Sequence, residues 1–272
     1  MSKTGTADGY LHGFSKEEQD RLYSQARFFE DSIYKNVDFS NARELLEVGC
    51  GVGAQTEILL DRFPNLHVTG IDASATQVER AKNHLKSFKD RVSLSTGDAL
   101  HLPFKDNSFD GAFLCWFLEH VREPVEILSE VRRTLKPQGE IFCNEVMNAT
   151  FYIHPYSPTT LKYWFEFNDL QWSLKGDPFV GGKLANYLLK AGFQQIETSV
   201  ITHHYDNRTP KKRAQFIDYW TNLLLSVASS LIDAGRITDE EVVAMKAELS
   251  KAKNDPDTVF FYSWLQAKAR AL

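Results

Sequence analysis

Cysteine is nearly absent from this chain of 272 residues: Cys50, Cys115 and Cys143 are its three, and none belongs to a C-x-x-C pair. That excludes a disulfide framework and offers no zinc ligand set, so buried packing is their expected role and no metal is expected. Long apolar runs are missing as well. No segment approaches the roughly 18–20 apolar residues of a membrane span, and Met1 to Tyr10 is polar without an apolar signal core. A cytoplasmic protein without a membrane partner is the expectation. Positive charge is not in excess: 31 Lys and Arg against 36 Asp and Glu leave a net charge of -5, with no long basic run to neutralise a phosphate backbone. No nucleic-acid partner is expected. Repeats and low-complexity segments are also lacking.

What remains is an ordinary globular composition, 43% hydrophobic and 25% charged, in a chain long enough for one large domain or a core with an added cap. Ser15 to Tyr34 has helical spacing (Leu22, Ala26, Phe29, Ile33) and a capping start. Strands are predicted at Glu44 to Val48, His67 to Ile71, Val92 to Ser95, Phe109 to Cys115 and Glu140 to Glu145. Helices fall between them at Gln55 to Phe63, Ala75 to Leu85 and Val125 to Leu135. This alternation implies an α/β fold, a Rossmann-like, doubly wound, mostly parallel sheet with helices on both faces. The rhythm breaks at Ala149 to Asp177, which is rich in aromatic residues. It resumes with a helix at Gly181 to Ala191 and a strand at Phe193 to His203. Arg213 to Ala234, Asp239 to Lys253 and Val259 to Ala271 read as a C-terminal helical cap. The expected organisation is an N-terminal cover (1–40), a cofactor-binding core (41–148), an aromatic lid insertion (149–180), the end of a seven-stranded sheet (181–208) and the cap (209–272).

The first strand runs into Glu47-Val48-Gly49-Cys50-Gly51-Val52-Gly53. Glycines there allow a sharp turn and a close approach of backbone to ligand, and the following helix presents its N-terminal amides to that ligand. Asp72 ends the second strand about 20 residues later, the position from which a carboxylate accepts hydrogen bonds from ribose hydroxyls. A nucleotide-like cofactor fits this arrangement. An empty tight turn with Asp72 as a mere helix cap is the structural alternative. Gly49, Gly51 and Ala54 also satisfy G-x-G-x-x-G/A, so the turn alone does not separate a nicotinamide cofactor from others.

Further motifs follow in order: Gly97-Asp98-Ala99, Leu102-Pro103-Phe104, Leu118-Glu119-His120-Val121 and Leu135-Lys136-Pro137-Gln138-Gly139. With the glycine turn, this set resembles the class I S-adenosylmethionine-dependent methyltransferases, in their small-molecule, UbiE-like group. The resemblance covers roughly Tyr10 to His203 and does not reach the identity of the acceptor. It implies S-adenosyl-L-methionine as cofactor, Gly49 and Gly51 at its methionine part, Asp72 at the ribose, and Ala73, Asp98 and Ala99 at the adenine, with Glu47 and Gln77 also among the cofactor-binding residues. It places Cys115, Trp116 and Phe117 beside the sulfonium, with Tyr10 and Gln25 closing over the cofactor.

Methyl transfer is an in-line displacement that needs alignment and exclusion of water, with a base only for a protonated acceptor. His120 is the natural candidate base, although the Glu-His pair also recurs as a structural feature of the fold. Glu145 is a second catalytic candidate. Asn144, Tyr152, Tyr156 and Trp164 are candidates for contact with a small-molecule acceptor, with N or O favoured over C as target atom. His203 and His204 point to opposite faces of a strand and are read as structure. The rival functions are an NAD(P)-dependent oxidoreductase, for which no central Y-x-x-x-K stands in the chain, and a non-catalytic binding protein of the same fold. A monomer or homodimer is expected.

Overall fold

Parallel strands covered by helices on both faces are apolar nearly throughout, and β1 (Glu44–Val48) obeys this, with Leu45, Leu46 and Val48 almost wholly buried. The computed structural model describes residues 12–13 and 15–272. β2 (His67–Asp72) and β4 (Phe109–Cys115) pair in parallel on either side of β1, β3 (Val92–Thr96) pairs with β2, and β5 (Leu135–Val146) with β4. The chain therefore runs outward from β1 through β2 to β3 and returns on the other side of β1. Such a reversal leaves a crevice beyond the carboxyl ends of β1 and β4, where open α/β sheets hold ligands.

The cap differs from its expectation. Val259 to Ala271, expected as part of the helical cap, forms β8 (Val259–Arg270), which runs antiparallel between β5 and β7 (Gln194–Tyr205). The reason lies in Phe260, Tyr262, Trp264, Ala267 and Ala269, all buried. A strand flanked by two others and covered on both faces loses the polar alternation by which strands are recognised. β8 completes the seven long strands, and a three-residue strand, β6 (Tyr152–His154), adds an eighth alongside its start.

Helix α1 (Lys16–Ile33) begins at Ser15, whose hydroxyl accepts from the Glu18 N–H, and buries Ala26, Phe29 and Ile33. α2 (Ala54–Arg62) and α3 (Ala75–His84) follow the first two strands, while α4 (Pro124–Thr134) and α6 (Leu184–Lys190) cover the opposite face. The expected lid contains α5 (Pro158–Ser173). The predicted helix from Arg213 starts earlier, at Pro210, and breaks near Ser226 into α7 (Pro210–Leu225) and α8 (Ala228–Asp233). Pro at a first helical position costs no hydrogen bond, which explains that start. α9 (Asp239–Asn254) carries a capping box between Thr238 and Glu241 and packs on α5 and α7.

The core face toward the cap is aromatic: Phe142 of β5 is fully buried, with its ring 5.2 Å from that of Phe39. Phe142→Ala is expected to lower unfolding free energy by about 3–5 kcal/mol through lost burial and the cavity left behind. Denaturant titration measures it, and a loss below about 1 kcal/mol would contradict this packing.

Candidate functional site

The crevice beyond β1 and β4 is a cavity of about 850 Å³, closed above by α1, α5 and α7. Its floor is the glycine turn. Gly49 and Gly51 have φ of +76° and +49°, a region L side chains rarely adopt. Their reasons differ. A Cβ on Gly49 would lie 2.4 Å from Phe117 Cδ2, whereas a Cβ on Gly51 would meet no protein atom within 4 Å, because that side of the turn is the cavity. The Asp72 carboxylate accepts from Gly51 N–H at 2.9 Å and Ser74 N–H at 2.8 Å. Burial outweighs these bonds and raises its pKa above the ordinary carboxylate value.

Glu47, Gln25, Ala73 and Gln77 also line the cavity, as do Cys115, Trp116 and Phe117. The amide oxygen of Gln77 accepts from Gln19 Nε2, which ties α3 to α1, and Arg21 donates to Gln25 Oε1. Asp98 and Ala99 lie in a side cavity of about 190 Å³ that shares Gly49, Asp72, Ala73 and Phe117 with the main one. The structure thus gathers every expected cofactor residue except Tyr10, which lies outside the described residues.

The acceptor-side expectations fare unevenly. His120 and Trp164 line the cavity. Asn144 and Glu145 do not; both are fully buried behind it. Asn144 Oδ1 accepts from Gln266, and Glu145 Oε1 accepts from the N–H groups of Phe117 and Leu118 at 3.1 and 2.8 Å, so Glu145 shapes the loop after β4. Tyr152 and Tyr156 are corrected too: they are 52% and 77% exposed and stand outside the cavity lining. Alternation along β6 turns Ile153 inward and therefore Tyr152 outward.

The remaining wall comes from residues with no local motif: Phe29, Phe167, Tyr219, Trp220, Tyr262 and Trp264. The apolar spacing of α7 was visible in the sequence; what it faces was not. Polar groups stand among these rings, with Arg21, Glu119 and Asn148 also in the lining. Tyr262 donates to Asn148 Oδ1 at 2.9 Å, and His12 Nδ1 lies 2.7 Å from Ser226 Oγ. One half of the cavity is thus a polar glycine cradle, and the other an aromatic chamber suited to a planar or apolar molecule.

Two buried carboxyls make stability depend on pH. Burial pushes Glu47 and Glu145 from 4.5 up to about 8, against the hydrogen bond from Thr56 to Glu47 and with the charge of Glu119 beside Glu145. A raised carboxyl pKa means the folded state holds protons the unfolded state has released. Stability from these groups is then full below 4.5 and lost as pH rises toward 8. Denaturation at a series of pH values is expected to show this fall, and Glu145→Gln should flatten it. An unchanged slope in that variant would refute the assignment for Glu145.

Residues 46–143 match the family model described as a methyltransferase domain. The methyltransferase GfsG of Streptomyces halstedii is 31% identical over 130 residues, which cover 47% of this chain and 46% of that protein. Demethylmenaquinone methyltransferase of Staphylococcus aureus is 34% identical over 129 residues, 47% of this chain and 53% of that protein. The chain thus spans about half the length of these curated relatives. Among solved structures, the [4+2]-cyclase SpnF aligns with a TM-score of 0.56 at 21% identity, covering 98% of this chain and 86% of that one. A Haemonchus contortus phosphoethanolamine N-methyltransferase in complex with S-adenosylhomocysteine aligns at 0.57 with 17% identity, covering 93% and 57%. At such identities the likeness is one of fold. The likeness to a methyltransferase domain thus spans residues 46–143.

Proposed function

We propose that this chain transfers a methyl group from S-adenosyl-L-methionine to a small organic acceptor at oxygen or nitrogen. The observation that carries this reading is the open face of Gly51 beside Asp72: a left-handed glycine whose Cβ position is empty space, next to a buried carboxylate at the end of the second strand. That cradle fits the methionine and ribose parts of the cofactor, with Gly49 and Gln25 near the former and Asp72 with Gln77 near the latter. Asp98 and Ala99 in the side cavity suit the adenine. Bound there, the cofactor supplies a methyl carbon already activated by a positively charged sulfur.

The protein's own work is then alignment. Trp116 and Phe117, held by Glu145 and by the bond from Trp116 N–H to Asn144 O, set the edge where donor and acceptor meet. Phe29, Trp220 and Trp264 exclude water and favour an acceptor with an apolar or planar body. The apolar face of α7 is buried in the chain's own core, so the cavity is complete within one copy. GfsG and demethylmenaquinone methyltransferase are named for methyl transfer, which supports the reaction class; their acceptors do not carry over.

Calorimetric titration with S-adenosylhomocysteine, with NADH in parallel, tests the reading. Binding of the former alone at micromolar concentration is expected, and binding of NADH alone would replace the proposal with a dehydrogenase. Gly51→Val should abolish S-adenosylhomocysteine binding by filling the cradle, and Asp72→Ala should weaken it by about 1.5–3 kcal/mol through loss of charge-assisted bonds. Near-normal affinity in both folded variants would sink the site.

A further inference from the structure

A buried carboxylate normally has a cationic partner, because the protein interior solvates its charge poorly. Glu119 departs from this. It stands in the turn after β4, is 8% exposed and lines the cavity. Among the described residues no Lys or Arg forms an ion pair with it. Its one such contact is His120 Nε2, 3.7 Å from Oε1 and charged only when the imidazole is protonated. The side chain is fixed from two sides. Gln171 on α5 donates from Nε2 to Glu119 Oε2 at 2.8 Å, and Asp177 N–H donates to the Glu119 carbonyl at 2.8 Å. Glu119 is thereby held where the cofactor cradle meets the aromatic chamber, between the loop that carries Phe117 and the lid helix. Its Oε1 accepts no hydrogen bond among the described residues, nor is it sealed in the core.

The polar neighbours on the chamber side do not supply what is missing. Burial first, and then the charge of Glu119, raise the Tyr262 pKa, so the two groups lie within electrostatic reach of each other. Yet Tyr262 has one hydroxyl hydrogen, and it goes to Asn148 Oδ1 at 2.9 Å. A backbone oxygen, which can only accept, sets the amide orientations behind that bond. Asn168 donates from Nδ2 to Trp164 O at 2.9 Å, so its Oδ1 accepts from Asn148 Nδ2 at 2.8 Å, and Asn148 Oδ1 is the atom turned to Tyr262. Arg21 also lines the cavity, but its Nε and Nη2 donate to Glu18 at 2.6 and 2.7 Å.

Resting on the methyl-transfer reading above, we propose that the acceptor carries a basic amino group on its planar or apolar body, and that this group binds as an ammonium to Glu119 Oε1. Glu119 is thus a specificity-determining residue of the chamber. An ammonium brings both the hydrogen and the positive charge that the carboxylate lacks, and Tyr219, Tyr262 and the other rings of the lining attract the same cation. A neutral hydroxyl brings the hydrogen without the charge, and an anionic group is repelled. The amino group serves as the anchor that orients the body of the acceptor against the rings.

The test uses the full chain loaded with S-adenosylhomocysteine and three probes that share one planar body: 2-naphthylmethylamine, 2-naphthalenemethanol and 2-naphthoic acid. Calorimetry at pH 7 should show the amine binding about tenfold or more tighter than the alcohol, and the acid weakest of the three. Glu119→Gln keeps an oxygen for Gln171 and should remove the preference for the amine, leaving alcohol affinity within about threefold and S-adenosylhomocysteine binding intact. Equal binding of amine and alcohol by the unmodified chain, a preference for the acid, or no binding of any probe beside bound S-adenosylhomocysteine would overturn the proposal. So would an amine preference that survives in Glu119→Gln; should that variant not fold, the ranking of the three probes by the unmodified chain decides. Failure to bind S-adenosylhomocysteine would instead fell the cofactor reading, and the same three probes titrated into the chain alone would still decide the subsite.

Discussion

The Asp72 carboxylate, accepting from Gly51 N–H and Ser74 N–H, is the interaction on which the site depends. It joins the turn after β1 to the start of α3, beside the point where the order of strands reverses. The turn is strung from residues that only glycine fills cheaply, so without an anchor its backbone has many alternatives. Asp72 supplies the anchor at the spot where a ligand's own donors would compete for the same oxygens. Its pKa is raised above the ordinary carboxylate value because burial outweighs the two amide hydrogen bonds.

A second buried carboxyl repeats the device one strand along. Glu145 holds the N–H groups of Phe117 and Leu118, and the Asn144 carbonyl holds that of Trp116, which adopts a positive φ of 50°. Glu145 and Asn144 do not touch the cavity, yet they fix Trp116 and Phe117, which do. Residues at strand ends thus divide into those that meet a ligand and those that aim them, and both kinds are polar and buried. Sequence position alone does not separate the two, which is why Asn144 and Glu145 looked like acceptor contacts.

Legibility followed the range of the interactions. The cradle was readable because its parts are local: a glycine turn between strand and helix, and an acid at the end of the next strand, each with a physical reason for its spacing. β8 was not, because its central place in the sheet erases the polar alternation that marks a strand. Tyr152 and Tyr156 misled because an aromatic-rich segment signals burial somewhere, and only the register of β6 decides that Ile153 is the residue turned inward.

The same division bears on what the relatives can say. The matched domain ends at residue 143, just before the lid and cap elements that build most of the aromatic chamber. Asn148, Trp164, Tyr219, Tyr262 and Trp264 lie after it, and His12, Arg21 and Phe29 before it. On the proposed reading, the donor cradle thus lies largely within the residues that match the family model, and the acceptor chamber mostly outside them. A common cradle can therefore accompany different chambers, since the cofactor constrains one set of residues and the acceptor another. On the proposed reading, an acceptor has to be sought from the chamber: an apolar or planar body for the aromatic walls, with its polar group within reach of the donor carbon.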